Sequence, residues 1–426
     1  MNRPTRGRRR TTATAAALGA ALLLPLMLTA AGPAAAAEPP AAPAAASAPA
    51  ARSAPAASPS APTGVVLPRL PRPTGRFAVG EETLHLVDHS RTDPWAGSGP
   101  RELMVTMRYP AQRGTGGPVR PYLTDEEARL LLVSRGLEQQ VDYRSLAGTK
   151  AFARSGARPV AGRYPLVVLS PGFTVPRATL TSLAEELASR GYVVAAVDHA
   201  YEASAVAFPG GRVLTCLACD KAKELKDYKA VSDNRARDVS FLLDQLTGHR
   251  PAWRNAGLID KKKIAMAGHS IGGSAAAAVM ATDPRVRAGI DMDGGLFSPV
   301  PDGGLGGRPF MLLGGSDTVP GGTGTDWPNW DDNWARLDGW KRWITFADSH
   351  HFTFTDWPVL SDQLGLDRMT PLPGDRSLEL TRRYVGAFFD LHLKGAPQPV
   401  LDGPAADAPE VRFHVPAPAP NPTRTP

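Results

Sequence analysis

The sequence predicts one large α/β domain with a mostly parallel central sheet and helices on both faces. Two observations predict it. From residue 165 onward, short apolar runs alternate with amphipathic helical stretches. One of those runs, Ile264 to Ala267, ends in Gly268-His269-Ser270-Ile271-Gly272-Gly273 and then a small-residue stretch through Met280. A strand, a serine between glycines and a helix form a turn that leaves the serine hydroxyl exposed above a sheet. Glycines are needed there because a Cβ would collide with the flanking strand or helix.

The chain ends read as lying outside the fold. Five arginines fall in the first ten residues, an apolar Leu/Ala run spans 15–31, and Ala34 to Ala37 offer a small-residue cleavage site. Residues 1–37 are therefore expected to be a secretory signal peptide. Arginine pairs hint at twin-arginine export, but the apolar consensus after them is poor, and the route stays open. Residues 38–63 are nearly all Ala, Pro and Ser, the composition of a disordered linker. The tail, 416–426, reads the same way, leaving 64–415 as the folded domain.

The net charge of +7 is carried mostly by those first arginines, and the chain without them is close to neutral. With no basic stripe and no aromatic RNA-binding motif, nucleic-acid binding is not expected. The two cysteines, Cys216 and Cys219, are expected to form a disulfide in an exported chain. A zinc site would need further ligands nearby, and no metal or cofactor is implied.

The elements follow in order. Residues 76–87 and 101–109 alternate as an antiparallel pair of strands. Residues 124–135 and 139–147 look helical and interrupt the pattern, an insertion suited to a lid or a lipid-facing rim. Strands are expected at 165–170, 192–198, 263–268, 286–293, 308–314 and 343–347, and helices at 178–190, 232–246 and 377–393. In such sheets ligands bind at the C-terminal ends of the strands. Ser270, Asp293, Asp317 and His351 all fall at or just after strand ends.

A serine hydroxyl needs a base, and the base needs an orienting acid. The base is expected from His350 or His351, just after the last strong strand. His269 adjoins the serine and should pack beside the turn. The acid has three candidates, Asp291, Asp293 and Asp317; a regular strand would point the first two to one face. An oxyanion would be held by backbone N–H groups, one from Ile271 and one from Phe173 in the loop Pro171-Gly172-Phe173-Thr174.

Together, Tyr164-Pro-Leu-Val-Val-Leu-Ser-Pro-Gly-Phe173, Gly191-Tyr-Val-Val-Ala-Ala-Val-Asp-His199, Gly268-His-Ser-Ile-Gly-Gly273, Gly289-Ile-Asp-Met-Asp293 and Ser349-His-His-Phe-Thr-Phe-Thr-Asp356 resemble the platelet-activating-factor acetylhydrolase family, of the plasma type and its bacterial secreted relatives. The resemblance runs from about Phe77 to Lys394 and implies the α/β-hydrolase fold. It implies Asp293 as the acid and His351, over His350, as the base. The loop departs from the family's Ser-His-Gly-Leu, and Gly294-Gly295 replaces a bulky pair. Secreted cutinases and polyester hydrolases share the Ser-Pro-Gly-Phe-Thr loop and place the acid one strand later, where Asp317 stands.

The expectation is a secreted serine carboxylic-ester hydrolase with Ser270, Asp293 and His351 as its triad. It would cleave short-chain or truncated acyl esters, including those of phospholipids, with transient contact to a lipid surface. The rivals are a cutinase-like esterase, an acyltransferase and a non-catalytic binding protein. Five tryptophans at 327, 330, 334, 340 and 343 suit core packing or an apolar rim.

Overall fold

The computed structural model describes residues 65–225, 227–322, 330–368 and 370–416. The expected leader and linker, nearly all of the tail and Trp327 lie outside them.

Strands β1 (Ala78–Thr92) and β2 (Pro100–Ala111) form the expected antiparallel pair. Helices α1 (Asp125–Arg135) and α2 (Tyr143–Ala147) make the insertion, and β3 (Arg154–Ser155) pairs with β1. The α/β rhythm runs through β4 (Tyr164–Ser170), α3 (Thr181–Ser189) and β5 (Val193–His199). A two-stranded ribbon of β6 (Val206–Phe208) and β7 (Arg212–Leu214) comes next, then α4 (Leu217–Leu225) and α5 (Tyr228–Thr247). The rhythm resumes with β8 (Ile259–His269), α6 (Ile271–Thr282), β9 (Val286–Met292), β10 (Phe310–Gly314), α7 (Trp330–Trp334) and β11 (Lys341–Phe346). Helices α8 (Trp357–Leu364) and α9 (Gly374–Lys394) and strand β12 (Val411–His414) close the chain.

Among the described residues, ten strands form one sheet in the order β12-β11-β10-β9-β8-β4-β5-β2-β1-β3. Its centre, from β5 to β11, is parallel, and antiparallel strands flank it. Alternate residues of each strand feed two separate cores. Leu166, Val168, Ile264 and Met266 pack under α5 and α6, with Leu242, Leu246 and Ala275. Val167, Leu169, Ala265 and Ala267 face α3 and α9, with Leu187, Tyr384 and Phe388. Burying each of the Val, Leu, Ile and Met side chains contributes about 1.5–3 kcal/mol, and a sheet apolar on both faces is stable only when both are covered.

The insertion is built from local signals. Thr124 and Glu127 close a reciprocal capping box at the start of α1, and Gly136 ends it in the left-handed region. Its apolar side, Leu131 and Leu132, packs on Val175 and on Leu360 of α8. The insertion therefore sits beside the loop after β4. Helix α4, held at its start by the Cys216–Cys219 disulfide, packs with Phe173 and Ile271 on another side of that loop.

Candidate active site

Ser270 sits between β8 and α6 with φ 57° and ψ −128°, a conformation that a non-glycine residue adopts only under constraint. The glycines around it are fixed by space. A Cβ on Gly268 would lie 2.0 Å from the Gly272 carbonyl carbon, and one on Gly272 would lie 2.2 Å from the Ser170 carbonyl oxygen. The Ser270 N–H donates to the Met292 carbonyl at 2.9 Å, which ties the turn to the end of β9.

One residue further along, Asp293 leaves strand geometry with φ 59°. Its Oδ2 lies 2.8 Å from His351 Nδ1, and its Oδ1 accepts from the Thr318 hydroxyl at 2.6 Å and the Gly315 N–H at 2.7 Å. Burial would raise this carboxyl, but His351, Thr318 and Gly315 outweigh it and hold the group below its usual range. Asp317 is exposed. Asp291 is fully buried, accepts from the Gly294 N–H at 2.8 Å, and is pushed far up by burial and by neighbouring Asp293. The two aspartates thus do not act as a pair on one strand face, because β9 ends between them. His350 caps the short turn that follows it, accepting from Phe352 N–H at Nδ1.

Two tryptophans hold the segments around Asp293. Trp343 donates to the Thr318 carbonyl at 2.8 Å, and Trp330 donates to the Gly294 carbonyl. Both are buried and stack edge-on at 5.3 Å, while Trp340 packs on Phe388. These three belong to the core and not to a lipid-facing rim.

The loop after β4 lies beside the serine. Thr174 has φ 72°, its N–H donates to the Glu202 carbonyl at 3.0 Å, and a Cβ on Gly172 would lie 2.7 Å from His269 Nδ1. Phe173 stands edge-on to Tyr228 at 6.1 Å, and Tyr228 stacks on Phe297 at 5.1 Å.

Beneath that loop is a buried polar cluster that sequence reasoning missed. Arg235 donates to the Pro171 carbonyl and, at 2.7 Å, to Glu202. Arg101 pairs with Asp93, Glu202 and Asp238 at 2.7–2.9 Å. Ser170, His199 and Asp238 even reproduce a serine–histidine–aspartate chain, at 3.1 and 2.8 Å. All three are at most 1% exposed, so no ester can reach them. Burial and the neighbouring Arg235 keep His199 below its usual pKa. They come from β2, β4, β5 and α5 and from the loops after β1 and β5, and they meet only in the fold.

The fold is that of an α/β-hydrolase, and the esterases it is similar to identify it as one that acts on carboxylic esters. A protein of Arthroderma benhamiae named probable 1-alkyl-2-acetylglycerophosphocholine esterase is 31% identical over 383 residues, covering 81% of this chain and 93% of its own. This chain belongs to the platelet-activating factor acetylhydrolase family. The family model described as platelet-activating factor acetylhydrolase, isoform II, matches residues 69–212. A solved structure titled ferulic acid esterase, from Streptomyces cinnamoneus, superposes with a TM-score of 0.71 at 44% identity, covering 81% of this chain and 99% of that one. A cutinase of Thermobifida alba is 29% identical over 130 residues, 30% of this chain and 34% of its own.

Proposed function

We propose that the chain is a secreted serine ester hydrolase with Ser270 as nucleophile, His351 as base and Asp293 as orienting acid. The observation that carries this reading is the 2.8 Å contact of His351 Nδ1 with Asp293, beside a serine held at positive φ. Ser270 Oγ attacks the ester carbonyl while its proton passes to His351 Nε2. The oxyanion is held by the N–H groups of Phe173 and Ile271. Collapse breaks the bond to the alcohol, which leaves with the proton from His351. Water, deprotonated by His351, then attacks the acyl-enzyme, and the acid product leaves with Ser270 restored. Asp293 keeps the imidazole in the tautomer and orientation this shuttle needs.

Secretion is proposed from residues 1–37, and the Cys216–Cys219 disulfide suits an oxidising compartment. For the substrate, family membership supports a short-chain or truncated acyl ester, including that of a phospholipid. A second reading, an ester of a hydroxycinnamic acid, is favoured by the 44% identity to the Streptomyces cinnamoneus esterase. Aryl esters of graded chain length, a short-chain glycerophospholipid and methyl ferulate would be compared with purified enzyme and its Ser270→Ala variant. Substantial turnover by Ser270→Ala would reject the serine assignment. A preference for methyl ferulate would select the second substrate reading.

A further inference from the structure

Arg135, the last residue of α1, reaches from the insertion toward the residues that flank the catalytic groups. Its Nη2 donates to the Thr174 hydroxyl at 2.8 Å, next to Phe173. Its guanidinium carbon stands 5.2 Å from the centre of the Phe352 ring, next to His351. The charge also reaches the buried His269 imidazole and helps keep it neutral. Among the described residues no carboxylate pairs with Arg135, and burial alone shifts it, lowering its pKa.

The guanidinium lines a cavity of about 310 Å³ between α1 and α8, walled by Leu131, Leu137, Val175, Phe352 and Trp357. The other charged lining residue, Asp367, is exposed and makes no ion pair with Arg135. A guanidinium carries five donors in a planar fork suited to carboxylate or phosphate. Here one donor serves a neutral hydroxyl, and no anion offsets the loss of hydration. Desolvating a cation without a counter-charge is costly unless a ligand supplies the charge.

We infer that Arg135 and this cavity form a specificity site for an ester that carries an anionic group, carboxylate or phosphate, close to its scissile bond. The apolar walls take the carbon skeleton and the guanidinium takes the anion in a charge-assisted, two-pronged hydrogen bond. The inference rests on the proposed role of Ser270, His351 and Asp293.

The test compares kcat/KM for three substrates. These are 4-nitrophenyl acetate, which is neutral, the mono-4-nitrophenyl ester of glutaric acid, with its anion on the acyl side, and a short-chain glycerophospholipid, with its phosphate on the alcohol side. Replacing Arg135→Gln should lower the anionic-to-neutral ratio by about tenfold or more in one of the anionic arms, with Arg135→Lys falling between. The arm that moves identifies the side of the ester that carries the anion. If Arg135→Gln does not fold, Arg135→Lys carries the same comparison. A ratio unchanged in both arms overturns the anion site while leaving the serine reading intact. Turnover of all three esters by Ser270→Ala would sink that reading instead.

Discussion

His269 donates its Nε2–H to the backbone carbonyl of His351 at 2.7 Å, and the two rings lie 4.7 Å apart. A carbonyl only accepts, so Nε2 of His269 carries the proton and its buried Nδ1 faces Gly172 without a hydrogen-bond partner. His269, the residue before Ser270, thus holds the segment that carries His351 and packs against the loop that carries Phe173. Removing this anchor in His269→Ala should lower kcat by roughly 10- to 100-fold, the size expected for a small misplacement of catalytic groups. Steady-state kinetics on a soluble aryl ester checks this, and an unchanged kcat would show that the bond is dispensable.

The same imidazole sets a dependence of stability on pH. Burial and the nearby charge of His351 push His269 down to about 3, and burial pushes His392 down to about 4. Their unfolded values lie near 6.5. Below about 6.5 the unfolded chain therefore binds protons that the folded chain refuses, so stability falls as the solution is acidified. A fully neutral buried histidine contributes up to about 1.4 kcal/mol per pH unit in that window. Thermal unfolding between neutral and acidic pH should show a falling Tm, and His269→Gln should flatten the slope. A slope unaltered by His269→Gln would contradict the assignment.

The choice of acid separates two lineages of esterase. Asp293→Asn should lower kcat by about 10⁴-fold, because the amide stabilises the wrong imidazole tautomer. Asp317→Asn, at an exposed position, should leave kcat close to that of the parent. The opposite ranking, in variants with native circular dichroism, would transfer the role to Asp317.

Arg235 orients the Pro171 carbonyl, and with it the peptide run toward Phe173. Its replacement by Met should lower kcat more than it raises KM, since the loop serves the transition state more than ground-state binding. It should also lower stability, by leaving buried Glu202 with Arg101 as its remaining partner. Denaturant unfolding and kinetics on the same preparation separate the two effects. A parallel change in KM alone would place Arg235 in substrate binding.

Most of the central sheet was legible because its strands are continuous apolar runs and its helices carry periodic faces. Ser270 was legible because a sharp turn demands glycines at fixed offsets. Less visible were α8, β12 and the ribbon of β6 and β7. The ribbon and β12 are strands of three or four residues, and α8 begins at Trp357-Pro358 and stops at Gly365 within eight residues. The residue choice at the acid was not legible from spacing, because a left-handed φ at Asp293 breaks the strand alternation that would have ordered Asp291 and Asp293. The tryptophans gave two readings in sequence, and only their indole N–H partners, Thr318 and Gly294, show that they brace the segments around Asp293. The cluster of Arg101, Arg235, Glu202 and Asp238 left no sequence trace, since buried ion pairs between distant segments have no local pattern.

Ser170, buried inside the fold, contacts His199 and through it Asp238, whereas Ser270 is the proposed nucleophile at the strand ends. Treatment with a fluorophosphonate ester, followed by mass spectrometry of the digested protein, distinguishes them. One covalent adduct on the peptide bearing Ser270, formed in step with loss of esterase activity and absent from Ser270→Ala, is the predicted result. An adduct elsewhere, or full inactivation with Ser270 unmodified, would contradict it.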